Sequence, residues 1–174
     1  ENLTDDYVAI RQEMKQVAEY FDCEVLSEVD EREFYNTLAN LRKFCSDRAI
    51  MRAMHFFAET KRAKEETEAL KKGDVDEFLR LVNESGLSSA NLLQNLYSNN
   101  TPTEQAIPLA IAISKSILGN KGAVRVHGGG FAGTIQAFIP AEMVKEYKTE
   151  MERVYGDGAC YQMKIRPVGG IEIM

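Results

Sequence analysis

Residues 124–138 read Val124-Arg-Val-His-Gly-Gly-Gly-Phe-Ala-Gly-Thr-Ile-Gln-Ala-Phe138, and they are the most informative segment of the sequence. Its glycines crowd a loop between two segments that alternate as strands do. They are Gly128, Gly129, Gly130 and Gly133. Glycine has no Cβ, so this loop can adopt positive φ and bring bare backbone against a ligand or another loop. A tight turn would need only one or two glycines, so the composition favours close approach to a ligand or a ligand-binding loop.

The loop differs from the two common nucleotide-binding glycine motifs. It lacks the Gly-Lys-Ser/Thr ending of a Walker loop, and it runs into a strand instead of opening a helix as a Rossmann fingerprint does. Phosphate binding at a helix N-terminus is therefore not expected here. The residues alone predict a glycine loop near a site, and no more.

The segments around this loop alternate in the same way. Positions 123–126 and 131–139 have the period of two strands. Pro140 begins a helix that Gly156 ends, and positions 159–165 alternate as a third strand. The helix is expected to bury the stripe Val144, Tyr147, Met151 and Val154.

Before residue 119 the apolar spacing is helical. A long helix is predicted over residues 47–70, with Gly73 as its left-handed cap. Asp74 is predicted to cap the next helix, with Glu77 three residues on, and Gly86 to end it. That helix is expected to bury the stripe Val75, Phe78, Leu79 and Val82.

The remaining helical part contains two shorter elements. A short helix is predicted over residues 88–97, and Thr103 is a candidate cap for a last helix that reaches Leu118. Pro108 fits that helix only in its first turn, unless the helix bends. A helical part over 1–118 and a β-loop-β-α-β unit over 119–174 predict a single α+β domain over 1–174, whose antiparallel sheet is covered by helices.

Composition excludes several classes of function. A net charge of −6 and a pI near 5.1 argue against nucleic-acid binding. No apolar run approaches the ~18 residues of a membrane span, and the first residues do not resemble a signal peptide. The missing initial methionine suggests a chain that starts within a longer protein. Three scattered cysteines and two histidines suit a reduced, cytoplasmic protein without a metal site.

The glycine segment resembles the third motif of the GHMP kinases, in its galactokinase form R-M-T-G-x-G-F-G-G. Arg125, Phe131 and three of the glycines fit that pattern, whereas His127 replaces the usual Thr and Ala132 replaces a Gly. The H-G-G-G-F-A-G variant is most similar to a branch of the family found in anaerobic Gram-positive bacteria.

The resemblance continues along the chain in order. Residues 52–62 resemble the galactokinase helix R-A-x-H-x-x-x-E-x-x-R, and residues 69–78 resemble the step A-L-x-x-G-D-x-x-x-F. Gly86 stands where the family often has the His of E-S-H. Residues 2–7 resemble the segment whose tyrosine, here Tyr7, contacts the sugar in galactokinases.

The resemblance implies the ferredoxin-like C-terminal domain of a GHMP kinase. The family's phosphate loop P-x-G-x-G-L-S-S-S and its catalytic Asp and Arg do not occur in residues 1–174, so no catalytic residue is expected in this chain. Tyr7 is implied to contact the substrate. The glycine loop is implied to line or support the nucleotide and sugar cleft through His127, Gly128, Gly129, Gly130, Phe131, Ala132 and Gly133. His55 is expected to be a buried structural histidine. For His127, packing on the sheet with a bond to backbone is favoured over a ligand contact.

The implied activity is that of a galactokinase, which transfers the γ-phosphate of ATP to the anomeric hydroxyl of galactose. The implied partners are galactose, ATP, and an N-terminal lobe that holds ATP and Mg²⁺, with no nucleic acid or membrane. This chain alone is expected to be inactive and to bind no cofactor. The alternatives are a catalytically inactive sugar sensor or regulator, another GHMP small-molecule kinase, and a free-standing α+β binding module.

Overall fold

The structure is a computed structural model that describes residues 3–131 and 133–164. Helices occupy the first two thirds of this part of the chain, and a hairpin and a helix follow. The α-helices are α1 (Thr4–Glu19), α2 (Glu31–Leu41), α3 (Asp47–Lys72), α4 (Val75–Ser88), α5 (Ala106–Leu118) and α6 (Val144–Tyr155). The strands are β1 (Ala123–His127) and β2 (Thr134–Phe138). The described residues also form 3₁₀ turns at Leu26–Glu28 and Ala141–Met143, and a π-helical turn at Ser89–Leu93.

Local signals set the ends of α3 and the start of α4. The Ser46 side chain accepts a hydrogen bond from the backbone N–H of Ala49 and caps α3. Gly73 ends that helix at φ 71°, a conformation that costs glycine little. The Asp74 carboxylate then accepts from the backbone N–H of Glu77 at 3.0 Å. These predicted boundaries are confirmed.

The prediction that Gly86 ends α4 is wrong, because the helix continues to Ser88. A Cβ at Gly86 would lie 3.1 Å from the Cβ of Arg125 and 3.2 Å from the carbonyl oxygen of Val124. The glycine therefore serves the close packing of α4 on β1 and ends no helix. Asn83, one turn earlier, donates to the Gly122 carbonyl and accepts from the Val124 N–H, each at 3.2 Å.

The segment between α4 and α5 also departs from the prediction. It begins with the π-helical turn at Ser89–Leu93, which ends at Gln94 with φ 58°. Thr103 does not cap α5, which starts at Ala106 without a side-chain cap, because hydrogen bonds such as Gln105 Nε2 to the Pro102 carbonyl hold the preceding residues in a turn. Pro108 is the third helical residue, where its missing N–H removes no intrahelical bond.

The sheet is an antiparallel pair in which Arg125 opposes Gln136 and His127 opposes Thr134. The predicted third strand is absent from residues 159–164, and residues 165–174 lie outside the described part. Tyr161 and Met163 are each 86% exposed, and no strand in the described residues pairs with this segment. The α+β class is confirmed.

Two apolar clusters form the core of the described residues. The first lies among α1, α2 and α3 around the fully buried Phe34 and Leu41. The second lies among α5, α6 and the sheet, and Tyr147 and Met151 contribute to it as predicted. Helix α4 lies between them, packed on α3 and on β1.

Two predicted stripe residues are exposed, and Phe78, Leu79 and Val144 are partly buried. Val75 and Val154 lie at the ends of α4 and α6, where the packing partner no longer covers the helix, and they are exposed. On α4 the missed Leu81 is buried beside the predicted Val82.

Candidate functional site

The glycine loop, residues 128–133, joins β1 to β2 and contains strained backbone. Gly128 and Gly130 have φ of 64° and 84°, and Phe131 has a φ of 59° although it is not a glycine. Left-handed backbone costs a phenylalanine roughly 1–2 kcal/mol. Surrounding contacts must therefore impose this conformation. Ala132 lies outside the described residues.

The loop comes very close to two other parts of the chain. A Cβ built on Gly129 would lie 2.7 Å from the ring carbon Cε1 of Tyr7 on α1. A Cβ on Gly130 would lie 2.0 Å from the backbone oxygen of Asn95. The close approach that the glycines predict is therefore present, and in this structure its partners are the chain's own Tyr7 and Asn95.

Hydrogen bonds hold the loop in that position. The Tyr7 hydroxyl donates to the Gly130 carbonyl at 2.9 Å. Asn95 accepts from the Phe131 N–H at 2.6 Å through its backbone carbonyl, and its side-chain amide donates to the Gly129 carbonyl at 3.2 Å. The Phe131 ring is buried and meets the Tyr7 ring edge-on at 5.0 Å. Helix α1 and the segment after the π-helical turn thus fix the inner side of the loop.

The other predicted loop residues lie toward its outer side. His127, at the end of β1, is exposed, and its Nδ1 lies 3.4 Å from the Thr134 hydroxyl across the strand pair. The sequence favours a hydrogen bond from the His127 ring to backbone. In the described residues the ring nitrogen contacts the Thr134 side chain instead. Gly133 donates its N–H to the Gly130 carbonyl at 3.1 Å, and no atom lies within 4 Å of a Cβ on Gly128. Next to Phe131 and Gly133 is a groove of about 420 Å³ that Leu3 and the turn over 98–105 also line.

Residues 52–62 of α3, which resemble the galactokinase helix motif, hold the segment that contacts the glycine loop. Arg52 is 2% exposed, and it donates to Glu13 at 2.8 Å and to the Leu93 carbonyl at 3.1 Å. Burial lowers the pKa of Arg52, and the nearby Glu13 carboxylate opposes that shift. The Leu93 carbonyl belongs to the π-helical turn that precedes Asn95. Arg52 therefore connects α1 and α3 to the segment that holds the glycine loop.

Glu59 makes the next contacts along α3. It accepts from the Ser85 hydroxyl of α4 at 2.5 Å, pairs with Arg62, and lies 3.8 Å from the Arg125 guanidinium of β1. Burial lowers the pKa of Arg125. The glutamate thus joins α3, α4 and the strand that leads into the loop. The polar residues of the motif act as structural connections.

His55 lies between these two groups and is buried as predicted. Its Nδ1 lies 2.8 Å from the Ser88 hydroxyl at the end of α4. Burial lowers the pKa of His55 to about 4, and the positive charges of Arg125 and Arg62 add to this shift, which the hydrogen bond to Ser88 opposes. The imidazole is therefore neutral at pH 7.

We expect the stability of the protein to fall as the pH drops from 6.5 to 4 because of His55. In this range the unfolded chain binds a proton at His55 and the folded chain does not, so acid favours unfolding. The loss should be about 2 kcal/mol, less than the full shift corresponds to because solvent screens part of the charge. Urea unfolding of wild type and of His55→Asn, in which an amide can still bond to Ser88, measures it. If the difference in free energy of unfolding between wild type and His55→Asn stays constant from pH 7 to pH 4, His55 is not the cause of the acid sensitivity.

Within the described residues no group of three or more His, Cys, Asp or Glu side chains is placed to hold a metal ion. In the same part of the chain no helix has both the length and the apolarity to cross a membrane.

Comparisons with known proteins bear on the family. A galactokinase of Mannheimia succiniciproducens is 28% identical over 146 residues, which are 84% of this chain and 36% of that protein. A crystal structure of Lactococcus lactis galactokinase complexed with galactose has the same fold, with a TM-score of 0.64 and 22% identity over 89% of this chain and 37% of that one. The resemblance to galactokinases is confirmed. This galactokinase-like chain spans about a third of the length of both relatives. No protein-family model matches it.

Sequence reasoning missed two residues that hold the galactokinase-like loop region in place. Asn95 follows an irregular turn and belongs to no recognisable motif. Glu13 lies on the α1 stripe between apolar residues, and its arginine partners, the buried Arg52 and the partly buried Arg48, come from another helix. Only the helical period, which puts Glu13 on the same face as Val17, could have suggested that this carboxylate turns inward.

Proposed function

We propose that this chain is the C-terminal lobe of a galactokinase-type sugar kinase, one domain over residues 1–174. In the full-length protein it takes part in transfer of the γ-phosphate of ATP to the anomeric hydroxyl of galactose, and alone it is inactive. The match over most of this chain but only about a third of a galactokinase supports this proposal. A cytoplasmic location fits the free thiols of Cys23, Cys45 and Cys160.

The glycine loop with Tyr7 beside it is the observation that carries the proposal. The segment with the kinase-like sequence is held in a defined conformation by residues of this chain. Tyr7, the residue that matches the family's sugar-contacting tyrosine, lies directly on that loop and is 43% exposed. The tyrosine and the outer face of the loop, with His127, are therefore accessible to a ligand or to another lobe.

The proposal divides the reaction between two lobes. Phosphoryl transfer requires aligned phosphates, a metal ion that neutralises their charge, and a group that positions the attacking hydroxyl. The resemblance to galactokinases is the reason that the proposal assigns the metal, the triphosphate and the base to the N-terminal lobe. The glycine loop supports the phosphate-binding loop of that lobe from this side of the cleft.

The hydrogen bonding of Tyr7 limits what it can recognise. Its hydroxyl proton is already donated to the Gly130 carbonyl, so the oxygen has lone pairs but no proton for a ligand. A sugar hydroxyl that reaches Tyr7 must therefore act as the donor. The Phe131 ring and the bare Gly129 hold the tyrosine ring in place, so this acceptor is preorganised.

Tyr7→Phe in the full-length protein should raise KM for galactose about fivefold and change kcat less than about twofold. The substitution removes the acceptor for the sugar hydroxyl, a bond worth about 1 kcal/mol in the ground state and the transition state alike. It also removes the bond to the Gly130 carbonyl, but the two hydrogen bonds of Asn95 still hold the loop. Steady-state kinetics at saturating ATP measure it, with Tyr35→Phe on α2, 44% exposed, as the matched control. An unchanged KM would remove Tyr7 from the sugar site.

The full-length protein tests the whole proposal. Galactose-dependent ADP formation should appear with the full-length protein and not with residues 1–174 alone. The coding sequence before residue 1 should contain the phosphate loop P-x-G-x-G-L-S-S-S. Galactose binding without turnover would favour the sensor alternative, and a coding sequence without an upstream lobe would exclude the proposal.

A further inference from the structure

Asn95 has an unusual combination of burial and hydrogen bonding. It is 2% exposed, and among the described residues its Oδ1 is buried without a hydrogen-bond partner. Its Nδ2 donates to the Gly129 carbonyl at 3.2 Å, which sets the orientation of the amide. A buried acceptor without a partner destabilises a protein, so a residue that introduces one calls for an explanation beyond folding.

We propose that Asn95 is the positioning residue that sets the conformation of the glycine loop for catalysis. The inference rests on the proposed kinase function. The amide bonds to Gly129 and the backbone carbonyl bonds to Phe131, so Asn95 holds the loop on both sides of Gly130. Gly130 packs against the same residue and has φ 84°, where a side chain would not fit.

Two further contacts make this arrangement a rigid one. The Tyr7 hydroxyl bonds to the Gly130 carbonyl from the opposite side, so the peptide units that Asn95 holds also orient the proposed sugar contact. Arg52 bonds to the Leu93 carbonyl two residues before Asn95 and fixes the turn from which Asn95 projects. A shift of the amide would therefore move the loop and the tyrosine together.

The test compares Asn95→Leu with Asn83→Leu in the full-length protein. Leucine has the same number and branching of side-chain heavy atoms as asparagine and removes both the amide donor and the orphan oxygen. Asn95→Leu removes the unpaired Oδ1, and the Gly129 carbonyl that loses its donor belongs to an exposed residue and can bond to water. The midpoint of thermal unfolding should therefore stay or rise, whereas kcat should fall about tenfold or more through misplacement of the loop. Asn83 makes the same kind of amide bridge at the other end of β1 and is satisfied on both sides, so its loss should lower the midpoint with little change in kcat.

Asn95→Asp supplies a conservative variant. It keeps the shape but places a carboxylate oxygen where Nδ2 faces the Gly129 carbonyl, so kcat should fall at least as far as in Asn95→Leu. Retention of kcat in either Asn95 variant would overturn the proposal. So would a loss of activity in Asn95→Leu that runs parallel to an equal loss of thermal stability.

Amide hydrogen exchange separates this proposal from the kinase function. In Asn95→Leu, exchange of the peptide that covers residues 127–133 should speed up, whereas residues 48–60 of α3 should exchange as in wild type. This measurement needs no substrate, so it stands even if the full-length protein phosphorylates nothing. Unchanged exchange at 127–133 would overturn the positioning role by itself.

Discussion

Gly130→Val is expected to destabilise the protein by about 3–5 kcal/mol and to remove most of the proposed kinase activity. The valine Cβ would lie 2.0 Å from the Asn95 backbone oxygen and 2.7 Å from its Nδ2. Valine at φ 84° would be strained even if there were room for its side chain. The loop must then leave Asn95, and the hydrogen bonds from Tyr7 and to the Asn95 carbonyl are lost with it.

Urea unfolding measures the loss of stability, and kcat of the full-length protein measures the loss of activity. Gly128→Ala is the matched control, since Gly128 has φ 64° but no atom within 4 Å of a Cβ. It should cost only the left-handed backbone, about 1 kcal/mol. If both variants lose the same amount, close packing on Asn95 is not what makes Gly130 necessary.

Glu13→Gln is expected to destabilise the protein by about 2–3 kcal/mol, because it leaves Arg52 charged and buried without its carboxylate. Glu13 contacts both Arg52 and Arg48, and its side chain is 16% exposed. Asp6 lies near enough to stabilise the two arginines in part, which limits the loss. The neutral amide keeps one of the two acceptor oxygens but supplies no charge.

Chemical unfolding at low and high salt measures this effect. A buried pair is screened weakly, so the loss in Glu13→Gln should change little with added salt. Glu19→Gln is the control on the same helix: its pair with Lys15 is exposed on both sides, and it should cost less than about 0.5 kcal/mol. Equal effects of the two substitutions would show that burial of Arg52 adds nothing.

The predictions that succeeded depend on contacts between near neighbours in sequence. The boundary at Gly73 and Asp74 is set by a left-handed glycine and a side chain that bonds three residues on, and both signals are visible in the printed residues. The hairpin succeeded for the same reason, because strand alternation and a glycine-rich loop are local patterns. The resemblance to galactokinases likewise needed only ordered motifs.

The predictions that failed depend on partners far along the chain. Gly86 resembles a helix end in sequence, but its function is to let α4 approach β1, about 40 residues later. The stretch over 159–164 has strand alternation and nothing in the described residues to pair with. Alternation states a preference, whereas a strand exists only when a neighbour accepts its hydrogen bonds.

The sequence by itself determined the α+β class, the helix boundaries with local caps, and a glycine loop whose backbone had to come close to something. Only the tertiary structure decided what that something is within this chain. Asn95 and Tyr7 reach the loop across 35 and 123 residues of sequence. Arg52 on α3 supports them together with Glu13, which lies on the same helix as Tyr7. The glycines show only where the loop has no side chains. Which residue fills that space is decided by the packing of distant parts of the chain.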